Sequence, residues 1–208
     1  MKKIIVIPDS FKGSMSAMEV THIMEDAIRT KFPNTQIIGI PISDGGEGSI
    51  DAFAHFIPGE KVKITVSDPF FQPIEANYFV SNEHAIIEMA QCAGISIVES
   101  RLDPTKTTTY GVGEMIRDAI QKGVKQITLC VGGSATNDAG TGMLSALGIK
   151  FLDDTGKVFI PTGGTLKKIH EIDDRELINS NDVNFTIISD VDNVLYGFNG
   201  AAYVYGPQ

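Results

Sequence analysis

A glycine-rich segment, VGGSATNDAGTG at residues 131–142, is the part of this 208-residue sequence whose composition most directly suggests chemistry. It follows the apolar run at residues 127–130 and combines four glycines with small polar and acidic residues. Glycine has no Cβ, so its backbone amides can approach an anion closely, and a helix start adds the positive end of its dipole. The segment therefore predicts a phosphate or carboxylate site. A tight turn between a strand and a helix is the alternative that this one segment leaves open.

Three further loops carry side chains that phosphoryl transfer requires. Lys12 lies between Ser10 and Gly13, Asp44 lies in the segment SDGGEG, and Asp190 follows an apolar run. An ammonium group can neutralise a phosphate, and a carboxylate can bind Mg²⁺ or accept the proton of a substrate hydroxyl. Taken one at a time, the lysine is more typical of a solvated surface charge and the aspartates of helix caps or turns. Together they favour phosphoryl transfer.

Motifs and composition disfavour several other functions. The glycine-rich segment has neither the lysine of a G-x-x-x-x-G-K-[ST] loop nor the G-x-G-x-x-G spacing, and the sequence contains no G-x-S-x-G elbow. The 4 histidines lack metal-ligand spacing. A formal net charge of −9 with scattered basic residues argues against nucleic acid or an anionic membrane as a partner. Because the apolar runs are too short for a membrane span, we expect a cytoplasmic protein with reduced, buried Cys92 and Cys130.

Alternating strand and helix patterns predict an α/β fold. Apolar strands are expected at residues 4–7 and 37–42, and each is followed by a loop and a helical pattern. The S-x-x-E spacing of Ser16 and Glu19 predicts a capping box at the start of the first helix. Two such units in succession indicate a parallel sheet with crossover helices.

The rest of the chain first departs from this pattern and then returns to it. Residues 61–89 alternate in the manner of an antiparallel meander, which is either a second domain or an insertion. The threonines at 107–109 can cap the next helix, and further strands are predicted at residues 127–131 and 185–189.

The central prediction concerns the loops at the ends of these strands. In an open parallel sheet, ligands bind beyond the carboxyl ends of the strands. We therefore expect Lys12, Asp44, Gly133 and Asp190 to lie around one common cavity.

Five regions of the sequence closely resemble the bacterial glycerate kinase family of the two-domain type. They occur in the family's order and extend from one end of the chain to the other. The matching blocks are IPDSFKGSMSA (7–17), SDGGEGS (43–49), TTTYGVGEMI (107–116), GGSATNDAGTGMLSALG (132–148), and SDVDN (189–193) with NGAAYVYGPQ (199–208). The resemblance implies a Rossmann-like parallel-sheet domain beside a second, smaller α/β domain with antiparallel strands. It also implies ATP- and Mg²⁺-dependent phosphorylation of glycerate to phosphoglycerate.

Through these blocks, the resemblance assigns roles to individual residues. Lys12, Asp190 and Asp44 are the catalytic candidates: Lys12 contacts the transferring phosphoryl group, and Asp190 is preferred to Asp44 as base or metal ligand. Asp190 and Asp192 are the candidate Mg²⁺ ligands. Substrate or phosphate binding is assigned to Ser10, Gly45, Gly46, Gly132, Gly133, Ser134, Thr136, Asn137 and Asp138.

Family members are longer than this chain, and this difference in length determines what we expect of its domain boundaries. Residues 1–60 are expected to form the first part of the Rossmann-like domain, whose remainder follows residue 208 in the family, and residues 61–208 the second domain. The chain is then either a fragment or a naturally short protein, and an exposed sheet edge favours a homodimer. Two alternatives to a glycerate kinase stay open: a non-catalytic anion-binding module and a kinase of a related small hydroxy acid.

Overall fold

Ten strands, seven α-helices and a short 3-10 helix at Leu166–Lys168 are present in the part of the chain that the structure describes. The computed structural model covers residues 3–98 and 100–207, so Met1, Lys2, Glu99 and Gln208, the last residue of the NGAAYVYGPQ block, lie outside the description. The strands are β1 (Lys3–Val6), β2 (Gln36–Gly39), β3 (Glu60–Ser67), β4 (Pro73–Ser81), β5 (His84–Glu88), β6 (Gln126–Cys130), β7 (Lys150–Leu152), β8 (Val158–Phe159), β9 (Glu171–Asp173) and β10 (Asn184–Ile188). The helices are α1 (Ala17–Lys31), α2 (Ser49–Phe56), α3 (Ala90–Ala93), α4 (Ile95–Val98), α5 (Tyr110–Gln121), α6 (Thr141–Ala146) and α7 (Ala201–Val204). None of these described helices is long and apolar enough to cross a membrane.

The two strand–loop–helix units at the start of the chain form as the sequence predicts. β1 and β2 pair in parallel, and each is followed by its helix. The Ser16 hydroxyl accepts a hydrogen bond from the Glu19 amide, while the Glu19 carboxylate accepts one from the Ser16 amide. The predicted capping box is therefore confirmed, and it ties down the start of α1.

A five-stranded mixed sheet, in the order β10-β6-β5-β4-β3, contains most of the core. β3, β4 and β5 pair antiparallel, which confirms the predicted meander, whereas β5, β6 and β10 pair in parallel. The meander continues directly into the parallel strands through β5. The mixed α/β fold is confirmed, and the division into domains at residue 60 stays a prediction.

Helices cover both faces of this sheet because successive side chains of a strand point to opposite sides. Ile87 of β5 belongs to the main core cluster, together with Val112, Met115 and Ile116 of α5. Ile86, the preceding residue, packs on the other face in a smaller cluster with Ile50 of α2. β5 is thus packed between α5 on one face and α2 on the other.

A small antiparallel sheet of β7, β8 and β9 was not predicted from the sequence. Its strands contain only two or three residues, which is too short for an apolar alternation to be recognised. β7 and β8 are joined by a turn in which the Asp153 carboxylate accepts hydrogen bonds from the amides of Thr155 and Lys157. This turn is the connection of a β-hairpin.

Candidate active site

A cavity of about 660 Å³ lies where the loops after β1, β2, β5 and β6 meet. The first turn of α1 also reaches it through Ser16, Ala17 and Met18. Of the four residues expected around one cavity, Lys12 and Gly133 line it. Asp44 and Asp190 are not among the described lining residues, and Asp44 adjoins the cavity through its contact with Lys12. Residues from all four loops line the cavity, including Ser10, Lys12, Gly46, Glu88, Gln91 and Gly133.

Lys12 and Asp44 form an ion pair at this cavity. The Lys12 ammonium donates a hydrogen bond to Asp44 Oδ2 at 2.7 Å, and the Gly46 amide donates to Asp44 Oδ1 at 2.9 Å. The hydrogen bond from Lys12 is the main reason that the pKa of Asp44 lies below its usual value. Asp44 in turn raises the pKa of Lys12, and the charges of Asp9 and Asp190 raise it further. Both members of the pair are consequently charged at neutral pH, and Asp190 lies within electrostatic range of the ammonium.

The glycines of two loops allow their backbones to pack directly on each other. A Cβ on Gly132 would lie 2.8 Å from both Cα and N of Gly46, a separation that real Cβ atoms do not tolerate. Gly45 adopts a positive φ of 89°, and a Cβ there would lie 2.7 Å from the side chain of Ile188 at the end of β10. The Gly132 amide donates to the Gly45 carbonyl at 3.0 Å. These glycines bring the loops after β2, β6 and β10 together, which explains why the strand before residue 131 leads into backbone with almost no side chains.

The later part of the glycine-rich segment has a structural role. Asp138 is only 1% exposed, and its Oδ2 accepts hydrogen bonds from the Thr109 amide at 2.8 Å, the Thr109 hydroxyl at 2.9 Å and the Gly142 amide at 3.2 Å. Its Oδ1 accepts a hydrogen bond from the Gly140 amide at 3.0 Å. The amide of Met143 donates to the Thr109 hydroxyl at 2.9 Å. The amides at the start of α6 are therefore paired with protein groups, and this helix start offers little to a ligand.

The predicted binding residues consequently fall into two groups. Ser10, Gly46 and Gly133 line the cavity, and Gly45 and Gly132 support it from behind. Within the described ranges, Ser134, Thr136, Asn137 and Asp138 do not line this cavity. Ser134 instead forms a β-bridge with Gly94 and is exposed.

We predict that Asp138→Ala lowers stability without weakening ligand binding by the folded protein. The substitution leaves the buried amides of Thr109 and Gly142 without an acceptor, and unpaired buried donors cost about 2–4 kcal/mol together. Urea unfolding followed by circular dichroism measures the loss, and calorimetric titration of the folded variant with ATP measures binding.

The matched control for this prediction is Asp153→Ala. Asp153 also accepts three hydrogen bonds, from the Thr155 amide, the Thr155 hydroxyl and the Lys157 amide, but it lies in an exposed turn where water can replace them. We expect a much smaller stability loss there. A weaker affinity of Asp138→Ala with unchanged unfolding would instead place Asp138 among the ligand contacts.

The loop after β10 carries the two candidate metal ligands, Asp190 and Asp192, and both are exposed. Val131, which follows β6, donates its amide to the carbonyl of Ile188 at 3.1 Å, so this loop starts beside the glycine-rich segment. Within residues 3–98 and 100–207, no group of three or more histidine, cysteine or acidic side chains is arranged to hold a metal ion. Any metal held here would therefore be bound by fewer side chains, with other ligands completing its coordination.

Two cavity residues, Glu88 and Gln91, were not singled out in the sequence. Glu88 ends β5 and is 1% exposed; its Oε1 accepts a hydrogen bond from the Ile50 amide at 2.5 Å, and its Oε2 accepts one from Gln91 Nε2 at 3.0 Å. Burial is the main reason that the pKa of Glu88 is raised, and the nearby charges of Asp51 and Glu47 add to this effect. The signal in the sequence is an acid within an otherwise apolar strand pattern, AIIEM at residues 85–89.

The fold and the cavity define an α/β protein with a ligand cleft at the carboxyl ends of parallel strands, equipped with a lysine and carboxylates that suit a phosphate-bearing ligand. The chain belongs to the glycerate kinase family, whose model matches residues 4–208. The resemblance found in the sequence is thereby confirmed.

Individual relatives agree with this assignment. The chain is 40% identical over 212 residues to a glycerate kinase of Halalkalibacterium halodurans, covering 100% of this chain and 56% of that protein. It is 38% identical over 210 residues to the glycerate 2-kinase of Escherichia coli, covering 99% and 55% respectively. A crystal structure of a putative glycerate kinase 2 from Salmonella typhimurium LT2 superposes with a TM-score of 0.86 at 37% identity, covering 100% of this chain and 57% of that one. The chain thus spans about half the length of the curated relatives it matches.

Proposed function

We propose that this protein phosphorylates glycerate with ATP, yielding phosphoglycerate. The observation that carries the proposal is the arrangement around Lys12: an exposed ammonium at a cavity, paired with Asp44, within range of Asp190, and beside the bare backbone of Gly46 and Gly133. Membership of the glycerate kinase family supports the choice of substrate class. Because the matched relatives are nearly twice as long, the activity is proposed for the whole protein to which this sequence corresponds.

Lys12, Asp44 and Asp190 would each have a different role in phosphoryl transfer. Lys12 neutralises charge on the transferring phosphoryl group, since its side chain is 77% exposed and, among the described residues, donates one hydrogen bond, to Asp44. Asp44 stays ionised and orients Lys12; its lowered pKa makes it a weak base. Asp190 is therefore our choice to accept the proton of the substrate hydroxyl.

The first turn of α1 supports binding of an anionic group in the same cavity. Ser16, Ala17 and Met18 line the cavity at the start of a 15-residue helix, where the dipole favours negative charge. Glycerate and ATP are both anionic. We place one of their negative groups against this turn and another against the Gly46–Gly133 backbone.

Mg²⁺ fits the donor chemistry of the loop after β10. Protein Mg²⁺ sites use one or two carboxylates, and phosphate oxygens and water complete the shell, so Asp190 and Asp192 suffice as ligands. When bound, the ion would neutralise charge on the phosphates of ATP. Asp192 would then be the first ligand of the ion, with Asp190 as a metal ligand only if it is not the base.

We further propose that the protein forms a homodimer and is located in the cytoplasm. β10 is an edge of the five-stranded sheet, and Phe185 and Ile187 on it are 47% and 65% exposed, which favours association with a second copy. Cys92 and Cys130 are free, buried thiols, as expected in a reducing compartment.

The decisive test is incubation of the purified protein with ATP, Mg²⁺ and D-glycerate, followed by ³¹P NMR for phosphoglycerate. Formation of phosphoglycerate together with ADP supports the proposal. Saturable ATP binding by calorimetry with no product would support an anion-binding module instead. A faster reaction with another short hydroxy acid would support a kinase of a related substrate, because the choice among such acids depends on hydrogen-bond placement in the pocket.

A further inference from the structure

We propose that Glu88 is a positioning residue, whose buried carboxyl group fixes the start of α2 and, through the loop at residues 43–49, the Lys12–Asp44 pair. The inference rests on the proposed role of Lys12. Glu88 itself lies in none of the motifs found in the sequence.

The surroundings of Glu88 are unusual for an acid. It is 1% exposed at the end of β5, and buried carboxylates are rarely found without a cationic partner. In the part of the chain that the structure describes, no lysine or arginine forms a salt bridge with it. Its partners are the Ile50 amide, in the first turn of α2, and the Gln91 side chain. The carboxyl group therefore binds the start of α2 to the end of β5.

Ser49, which precedes Ile50, connects the start of α2 to the loop at residues 43–49. Ser49 is 2% exposed, and its hydroxyl donates to the Gly46 carbonyl at 2.8 Å. The same hydroxyl lies 2.8 Å from the hydroxyl of Ser43, with which it forms a hydrogen bond. Ser49 thus ties the start of α2 to Ser43 and Gly46 of the preceding loop.

The loop in turn holds the charged pair. The Gly46 amide donates to Asp44 Oδ1 at 2.9 Å, and Lys12 donates to Asp44 Oδ2 at 2.7 Å. A continuous series of hydrogen bonds and peptide links therefore runs from Glu88, through Ser49 and Gly46, to Asp44 and Lys12. Lys12, at the end of this series, lines the cavity, and Asp44 is its ion-pair partner.

Removing the carboxyl group should loosen the pair in a measurable way. In Glu88→Ala the start of α2 loses its acceptor, so the loop no longer holds Asp44 firmly against Lys12. The pKa of Asp44, now held low by Lys12, should then rise toward its usual value. The phosphorylation rate should fall roughly 10- to 100-fold through kcat, with KM little changed, because a displaced Lys12 acts mainly on the transition state.

The experiment compares four variants by ¹³C NMR titration of the Asp44 carboxyl group and by steady-state kinetics. We expect Glu88→Ala and Ser49→Ala to raise the pKa of Asp44. Glu88→Gln, which keeps an oxygen acceptor for the Ile50 amide, should leave it close to the wild-type value. The matched control is Glu114→Ala: Glu114 also accepts a hydrogen bond from a backbone amide, that of Ser67 at 2.7 Å, but it is on α5 and outside the series.

The outcomes separate cleanly. If Glu88→Ala fails to fold, Ser49→Ala interrupts the same series one link later and decides the question. An unchanged Asp44 pKa in either folded variant, or an equal shift in Glu114→Ala, overturns the inference. The titration needs no substrate, so a wild-type protein without glycerate kinase activity would refute the proposed function and leave this measurement interpretable.

Discussion

Replacing Lys12 by Met lowers the rate of ATP-dependent glycerate phosphorylation by about 10²–10³-fold, the usual cost of removing one donor that stabilises transition-state charge. The side chain is 77% exposed and Met retains its length, so the fold and the affinity for glycerate should be little affected. Steady-state kinetics with saturating ATP, together with a thermal unfolding curve, measure both consequences.

Lys106→Met is the matched control for this substitution. Lys106 is 73% exposed and forms a 2.9 Å ion pair with Asp103, so it resembles Lys12 in exposure and pairing, but it does not line the described cavity. Its loss should leave turnover within a few-fold of wild type. Wild-type turnover in Lys12→Met, or an equal loss in Lys106→Met, would remove Lys12 from the mechanism.

Asp190→Asn should lower kcat by about 10²–10⁴-fold, the contribution expected of a general base. An amide cannot accept the proton of the substrate hydroxyl, yet it has nearly the shape of the carboxyl group. Asp190 is exposed, so we expect no change in the free energy of unfolding. The assay is the same phosphorylation reaction, run over a range of Mg²⁺ concentrations with saturating ATP and glycerate.

Asp182→Asn provides the comparison. Asp182 is exposed and precedes β10, whereas Asp190 follows it, so the two acids lie at opposite ends of one strand. The carboxyl end of the strand lies beside the glycine-rich segment, where the Val131 amide donates to the Ile188 carbonyl, and Asp182 lies at the other end, so Asp182→Asn should behave as wild type. If Asp190→Asn keeps its turnover but requires more Mg²⁺, Asp190 is a metal ligand and the base lies elsewhere.

Local patterns were sufficient for the elements that depend on neighbours in the sequence. The Ser16–Glu19 capping box, the two initial strand–loop–helix units and the meander at residues 61–89 are all present. Each reflects interactions over a few residues or a regular alternation, which one strand or helix expresses by itself. The predicted strands at 127–131 and 185–189 begin and end one residue later than the observed ones.

The sequence also allowed the cavity to be predicted, since parallel strands place their following loops at one edge. Lys12, Asp44 and Gly133 could be chosen because an ammonium, a carboxylate and bare backbone are chemically distinctive wherever they occur. The same reasoning could not separate Asp138 from them. The local sequence around an acid in a glycine-rich loop is the same whether the acid faces a ligand or accepts hydrogen bonds from the protein. Asp138 accepts them from Thr109, 29 residues away.

Glu88 and the glycine contacts depended on the tertiary structure alone. The partner of Glu88 is 38 residues distant, and Gly132 needs its missing Cβ because of Gly46, which belongs to another loop. Local sequence therefore specified which groups were present and where each strand delivered them. Long-range packing decided which of them face the cavity and which hold it in shape, because contacts between distant segments leave no periodic pattern along the chain.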